Sequence, residues 1–499
     1  MADAAAEHSV PSGAAAPGIL TFAAVILAVT LVRLAVLTVL AIPLSMDEAQ
    51  YWIWSRALDF GYYSKPPMIA WLIGATTSLC GDGEACVRAT SPILHAATSF
   101  AVFAIGNLVG GPRLGWWSGL AFTFLPGIAI SAMIMSTDVP LLLAWSVALF
   151  CLIRALDGRG MGWWIGLGAA FGLGLMAKYA MLFFVLGLVT AVLWSPRVRA
   201  KVSVGGLVSA SIIGALIYAP NFVWNLGNGF VSYRHTSDNI AFSEAVFDLG
   251  HAGEFILTQF GVVGPVMFGA LLVCAYRAVR HPQARDDADT LLLSFSLPIL
   301  ILIVIEAFVT RAHANWAATA YVAGTIFLCR KLLRTGAVRW LQGAFAVNFA
   351  ASVLLFNAVI ADAYGYHLPR ALDAVAKTRG WDEAGPWVRD LRRRYPGAVA
   401  LFDNRTDMAS LIYYARPLAD DAVMWNPWGG VHNHFELTTD PRKHPGGDFI
   451  YITRRESPSW ILPSFEAVTP LGEWQTSAYP GHHLRLRAYL AEGFRGYRP

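Results

Sequence analysis

The stretch SMDEAQYWIW, residues 45–54, sets two adjacent carboxylates, Asp47 and Glu48, directly after the apolar run 18–43. Further charged groups recur in short polar breaks between later apolar runs. They are Lys65 in YYSKPP, Asp138 in MSTDVP, Lys178 in MAKYAM, Arg234 and His235 in SYRHTSDN, Glu306, and Arg311, His313 and Asn315 in RAHANW. A carboxylate among bases suits one class of reaction. It takes the proton of an attacking hydroxyl as general base, while Lys and Arg neutralise the charge growing on a departing phosphate.

Each residue also has a purely structural reading. Ser45 and Glu48 fit the S-x-x-E capping box, which gives Glu48 a helix terminus to hold. That box leaves Asp47 without such a job, beyond favouring the positive end of the helix. Tyr51 stands four residues from Asp47 and shares its helix face. The aromatics of 51–63, Tyr63 among them, suit an interfacial belt as well as a sugar-binding wall. Lys65 could snorkel to lipid head groups, although Pro66 and Pro67 fix the backbone beside it, as a held phosphate ligand would need. Asp138 fits a helix cap, and Lys178 an ordinary interfacial lysine. Arg33, deep in the first apolar run, needs a partner the sequence does not name.

The elements that must carry these groups follow from composition. Of 499 residues, 56% are apolar and 14% charged, against roughly 25% charged in a soluble protein. The chain is therefore expected to be integral to a membrane. Its net charge of +4 needs no nucleic acid to explain it, because loop placement accounts for the excess of Lys and Arg. Eleven spans are expected, near 18–43, 87–109, 114–132, 139–156, 162–177, 179–195, 203–223, 256–277, 290–309, 316–332 and 338–358, with an interfacial helix at 66–79. No cleavable signal peptide is expected, since the first run follows a stretch without Lys or Arg and is long enough to stay as an anchor.

Orientation follows from the basic residues. Arg113; Arg154 and Arg159; Arg197, Arg199 and Lys201; Arg277, Arg280 and Arg285; and Arg330, Lys331, Arg334 and Arg339 fall in alternate loops, expected to be cytoplasmic. Residues 1–17 then form a cytoplasmic tail, 18–359 a transmembrane domain with a large outer loop at 44–86, and 360–499 an extracytoplasmic domain. In that last domain WDEAGPWVRDLRRRYP reads as an amphipathic helix, and AVALF and DFIYIT as strands. His432, His434, His482 and His483 read as surface residues. The candidate chemistry groups all fall on the outer face, where Cys80 and Cys86 of CGDGEAC are able to form a disulfide. Cys151, Cys274 and Cys329 read as packing residues.

PLSMDEAQYWIWSRALDFGYYSKPPMIAWLIG, followed by STDVPLLLAW, GLGLMAKYAML and RAHANWAATAY, resembles bacterial GT-C membrane glycosyltransferases. The resemblance is to the group of the lipid A aminoarabinose transferase and the lipopolysaccharide galacturonosyltransferases, more distantly to the protein O-mannosyltransferases. It covers residues 20–330. It implies an all-α polytopic fold of about 11 to 13 transmembrane helices with a C-terminal extracytoplasmic α/β domain. It also implies an inverting transfer of sugar from a polyprenyl phosphate in the bacterial inner membrane, with the site facing the periplasm. Asp47 would be the base or its positioner, with Glu48 beside it as a second catalytic candidate. Lys65, with Lys178, Arg234 and Arg311, would hold the donor phosphate. Tyr51, Tyr63, Asp138, His235, His313 and Asn315 would line the substrate cavity. Relatives nearest the aminoarabinose transferase carry Glu before Lys-Pro-Pro, where it helps bind a metal. Ser64 stands there in this chain, so neither metal nor other cofactor is expected.

The expected partners are a polyprenyl-phosphate-linked sugar, a lipid or glycan acceptor and membrane lipids. Lipid A or lipopolysaccharide core is the first acceptor reading, protein Ser/Thr or another envelope glycan the second. Galacturonic acid, aminoarabinose and neutral hexose all stand as sugars. A lipid flippase is the rival of another class. It would place its charges near the bilayer midplane on broken helices, often in inverted repeats, whereas these charges sit mostly at one face and no repeat is evident. No P-loop supports an ATP-driven pump.

Overall fold

A computed structural model describes residues 18–40, 42–240, 247–366, 369, 373, 376–479 and 482–498. The cytoplasmic tail expected at 1–17 lies outside them. Among the described residues six helices are long and apolar enough to cross a membrane, or seven if one sharply bent pair counts as a single span. The chain is a multi-pass membrane protein. α1 (Ile19–Val39) opens the bundle. α2 (Met46–Arg56) and α3 (Met68–Cys80) follow, the latter at the place of the interfacial helix read from 66–79. Then come α4 (Glu84–Gly110), α5 (Pro112–Thr123), α6 (Asp138–Leu156), α7 (Met161–Ala177), α8 (Tyr179–Trp194), α9 (Val204–Gly227) and the short α10 (Val231–Ile240). α11 (Leu249–Val263), α12 (Pro265–Arg280), α13 (Asp287–Ala307), α14 (Ala320–Arg334) and α15 (Val338–Ala363) complete the membrane part.

Two expected spans are not single helices. The run 114–132 breaks between Thr123 and Pro126, and a separate turn, Pro126–Ser131, continues it. The run 256–277 is α11 and α12 meeting at a bend of 112°. Pro265 has no N–H to continue the ladder, and Gly264 takes a φ of 91°, a conformation side chains rarely adopt. Asn348 of α15 presses on the break, donating through Nδ2 to Val263 O at 2.9 Å.

Four of the loops read as basic meet at one end of the bundle. Arg330 reaches Asp286 at 2.6 Å and the Val109 carbonyl at 3.2 Å. Lys331 pairs with Asp289 at 2.6 Å, and Arg197 lies 3.7 Å from Asp287. Arg33, whose partner the sequence left unnamed, donates Nη2 to Thr123 O at 2.7 Å.

The C-terminal part holds α16 (Trp381–Arg394), α17 (Arg405–Ala415) and a five-stranded sheet in the order β2-β1-β3-β5-β4. β1 (Val399–Phe402) lies parallel to both β2 (Val423–Met424) and β3 (Phe449–Thr453). β5 (His482–Glu492) runs antiparallel to β3 and to β4 (Ala467–Tyr479). The long β4–β5 hairpin was not among the strands read from sequence. Pro470 and Gly472 interrupt the pattern of β4 and mark a register shift against β5. One hydrophobic cluster joins this part to the outer loop, with Trp52, Trp54 and Ile69 packed in the same core as Met408, Leu411 and Tyr413.

Candidate active site

The first turn of α2 is fixed by the capping box read from the sequence. Ser45 Oγ accepts from Glu48 N at 3.3 Å, and Glu48 Oε2 accepts from Ser45 N at 3.0 Å. Glu48 has more to hold than a helix end. Arg88 of α4 donates Nε to its Oε1 at 2.7 Å and Nη2 to its Oε2 at 2.9 Å, and Met135 N reaches Oε1 at 3.0 Å. Arg88 also donates to the carbonyls of Ile42 and Pro43. Burial alone would raise the Glu48 carboxyl pKa, but Arg88 and the two backbone N–H groups hold it below the ordinary value. The expectation that Glu48 shares the proton chemistry is corrected by this arrangement. Its two oxygens are occupied and the residue is 1% exposed.

Asp47, one residue earlier, lies on the open side. Its side chain is 54% exposed, and Oδ1 accepts from Arg405 Nη2 at 3.0 Å. Oδ2 receives no hydrogen bond from a described residue. Tyr51, one turn on, is buried against Trp54 at 5.2 Å between ring centroids. Burial, then the Asp47 charge, raises the Tyr51 hydroxyl, so it stays protonated.

Lys65 follows Tyr62-Tyr63-Ser64 and precedes Pro66-Pro67. Tyr62 N donates to its carbonyl at 3.1 Å and closes a tight turn. Its ammonium has no hydrogen bond or ion pair among the described residues. Burial lowers its pKa first, and the positive charge of Lys178 next, while Asp47 and Asp138 act in the opposite direction. These groups thus share one field. Asp138 opens α6 and is almost wholly buried. Oδ1 takes Lys178 Nζ at 2.7 Å and Oδ2 takes Asn315 Nδ2 at 2.6 Å. Tyr63 and His235 face each other with ring centroids 5.1 Å apart.

A cavity of about 270 Å³ is lined by Lys65, Lys178, Tyr179, His235, Glu306 and Trp316, with Ser64 at its edge. Five segments distant in sequence thus meet around it. Of the predicted site residues Lys65, Lys178 and His235 line it; Asp47, Glu48, Tyr51, Tyr63, Asp138 and Asn315 lie outside its lining, and so do Arg234, Arg311 and His313. Arg234 is exposed and donates to the carbonyl of Gly229 in its own turn. Arg311 is exposed and pairs with Glu254 at 2.7 Å. His313 packs edge-on against Trp316, ring centroids 5.5 Å apart. The reading of Arg234 and Arg311 as phosphate ligands is therefore corrected, because each guanidinium is engaged elsewhere at the surface. Cys80 and Cys86 are joined in a disulfide. Ser64 is buried, its hydroxyl without a hydrogen-bond partner. Among the described residues no three His, Cys, Asp or Glu are grouped to hold a metal ion.

Sequence reasoning missed Arg405 and Arg88. Arg405 begins α17, capped by Asn404, and nothing in FDNRTDM announces that the helix lands on α2. His434 was read as a surface residue. Instead its ring packs edge-on to Trp54 at 5.2 Å, and burial lowers its pKa to about 3, so it is neutral. The side chains of His482 and His483 are outside the described residues.

The family model for dolichyl-phosphate-mannose-protein mannosyltransferases matches residues 64–224. The lipid A galacturonosyltransferase RgtD of Rhizobium johnstonii is 35% identical over 416 residues, 83% of this chain and 86% of that protein. Among solved structures, ArnT from Cupriavidus metallidurans in the apo state superposes with a TM-score of 0.64 at 14% identity, covering 95% of this chain and 98% of that one. The same protein bound to undecaprenyl phosphate gives 0.63 at 16% identity, covering 94% and 98%. These two likenesses establish a shared fold.

Proposed function

The chain belongs to the GT-C glycosyltransferase family that includes the lipid A galacturonosyltransferase RgtD, and on that premise we propose that it transfers a hexuronate from a polyprenyl phosphate to lipid A. The donor's isoprenoid tail would lie in the bilayer beside the bundle, and the reaction would take place on the periplasmic face of the inner membrane. The alternation of basic loops supports that orientation. The relative at 35% identity supports the sugar and the acceptor, and the fold shared with an undecaprenyl-phosphate-bound ArnT supports the carrier.

The observation that carries the reading is Lys65. It is a largely buried ammonium without a partner among the described residues, in a cavity of about 270 Å³, within the field of the Asp47 carboxylate. A buried cation of that kind suits a phosphate that arrives and leaves. In the proposed step the acceptor hydroxyl oxygen attacks the anomeric carbon, and its proton passes to Asp47 Oδ2. The bond from the anomeric carbon to the phosphate oxygen breaks with its electron pair, and polyprenyl phosphate leaves on Lys65. Attack opposite the leaving group inverts the anomeric centre. Lys178 is held by Asp138, whose other oxygen accepts from Asn315, so it adds positive potential from a fixed place. Glu306, which also lines the cavity, would accept from sugar hydroxyls.

The test is the mass spectrum of lipid A from cells lacking the protein, complemented with wild type or Lys65→Ala. The expected result is loss of one hexuronate, restored by wild type alone at equal expression. An unchanged lipid A in every strain would contradict the acceptor assignment.

A further inference from the structure

Arg405 of the C-terminal domain donates to Asp47, and we propose that it is a positioning residue that divides the two oxygens of Asp47 between holding and reacting. The inference rests on the transferase reading above and adds a residue from a different part of the fold.

The geometry is specific. Arg405 is the first residue of α17, and Asn404 caps that helix by accepting from Thr406 N at 2.8 Å. The same helix buries Met408, Leu411 and Ile412 in the core shared with Trp52 and Trp54 of α2. The base of the side chain is thus pinned to the helix that carries Asp47. Its guanidinium is pinned too. Nε donates to Gln50 Oε1 at 2.7 Å, and Gln50 is fully buried. With Nε fixed, the planar fork directs Nη2 at Asp47 Oδ1, 3.0 Å away. Oδ1 is occupied, which leaves Oδ2 to face an incoming hydroxyl. An exposed aspartate on a helix turn would otherwise sample several rotamers. Held at one oxygen by a rigid donor, it presents the other in one direction.

An ordinary surface ion pair would not be built this way. It would not need a fully buried amide to orient the cation, nor a shared hydrophobic core to carry it. The small domain is therefore part of the catalytic unit, and separating it from α2 releases the base.

The experiment uses the full chain purified in detergent, with undecaprenyl-phosphate-linked hexuronate as donor and lipid A as acceptor. Arg405→Ala is expected to lower kcat by about 10²-fold, the scale of a misplaced reacting group, with donor KM and undecaprenyl phosphate affinity unchanged. Arg405→Lys restores part of kcat, because a cation can still meet Oδ1 without the second bond to Gln50. Arg416→Ala serves as the docking control. Arg416 sits at the same domain interface, donating to Asp82 O at 3.1 Å, and does not touch Asp47. It is expected to keep wild-type kcat.

Wild-type kcat in Arg405→Ala would overturn the proposal. So would an equal fall in Arg416→Ala, since domain docking would then be the cause, and so would a rise in donor KM as the main effect. Wild type that neither transfers the sugar nor binds undecaprenyl phosphate would overturn the transferase reading, and this inference with it.

Discussion

Arg88 and Glu48, forty residues apart, meet through two parallel hydrogen bonds of 2.7 and 2.9 Å, with each side chain 2% exposed. The pair joins the exit of α1, the start of α2, the first turn of α4 and the Met135 segment before α6. It anchors the helix start that carries Asp47 and the segment that leads into Asp138.

A buried pair of this kind is costly to break from one side. Glu48→Gln and Arg88→Met should each destabilise the protein by about 3–5 kcal/mol, because the remaining partner is left buried and uncompensated. The double replacement should cost less than the sum. Thermal unfolding in detergent checks this. The Glu48 pKa is lower folded than unfolded, so its contribution is complete above the ordinary value of 4.5 and is lost as pH falls through the folded value. Wild type should therefore lose more stability than Glu48→Gln on acidification below 4.5. Parallel curves would contradict the assignment.

Lys65→Ala should weaken undecaprenyl phosphate binding by roughly 10- to 150-fold, the worth of a charge-assisted hydrogen bond of about 1.5–3 kcal/mol. Burial and Lys178 lower the Lys65 pKa, so wild-type affinity should begin to fall at a lower pH than an ordinary lysine value of 10.5 allows. Lys65→Arg should flatten that fall. Binding titrations at successive alkaline pH values check both points. An unchanged curve in Lys65→Arg would assign the pH dependence to another group.

Asp138 holds Lys178 and Asn315 with separate oxygens. Asp138→Ala and Lys178→Ala should therefore be non-additive, with a coupling of about 0.5–3 kcal/mol in thermal stability. Full additivity would mean that the pair does not act as one unit.

Arg234 and Arg311 are occupied outside the cavity. Arg234→Ala and Arg311→Ala should leave undecaprenyl phosphate affinity and transfer rate unchanged. Loss of donor affinity in either would return that residue to the phosphate site.

Much of this was legible in the sequence because it is local. The Ser45–Glu48 box, the Lys65 turn with its prolines and the polar breaks at Asp138, Lys178 and Asn315 each announce themselves within a few residues. The alternation of apolar runs and basic loops then gathers them on one face. What escaped depends on contacts between distant parts. Arg405 acts on Asp47 only because α17 packs on α2. Arg88 reads as a basic residue at a helix start until Glu48 is found beneath it. His434 looks polar in VHNHF until Trp54 covers it. The bend at Gly264-Pro265 was present as a dipeptide that stops helices, but an apolar composition running through it gave the pattern of a single span.

The central claim is that Asp47 takes the acceptor proton, and one measurement addresses it directly. Purified wild type and Asp47→Asn are compared for transfer of hexuronate from its undecaprenyl phosphate to lipid A, with undecaprenyl phosphate binding measured on the same samples. The account predicts a loss of about 10²- to 10⁴-fold in kcat, the range for a general base, with binding retained. Asp47→Asn that transfers at the wild-type rate would contradict it.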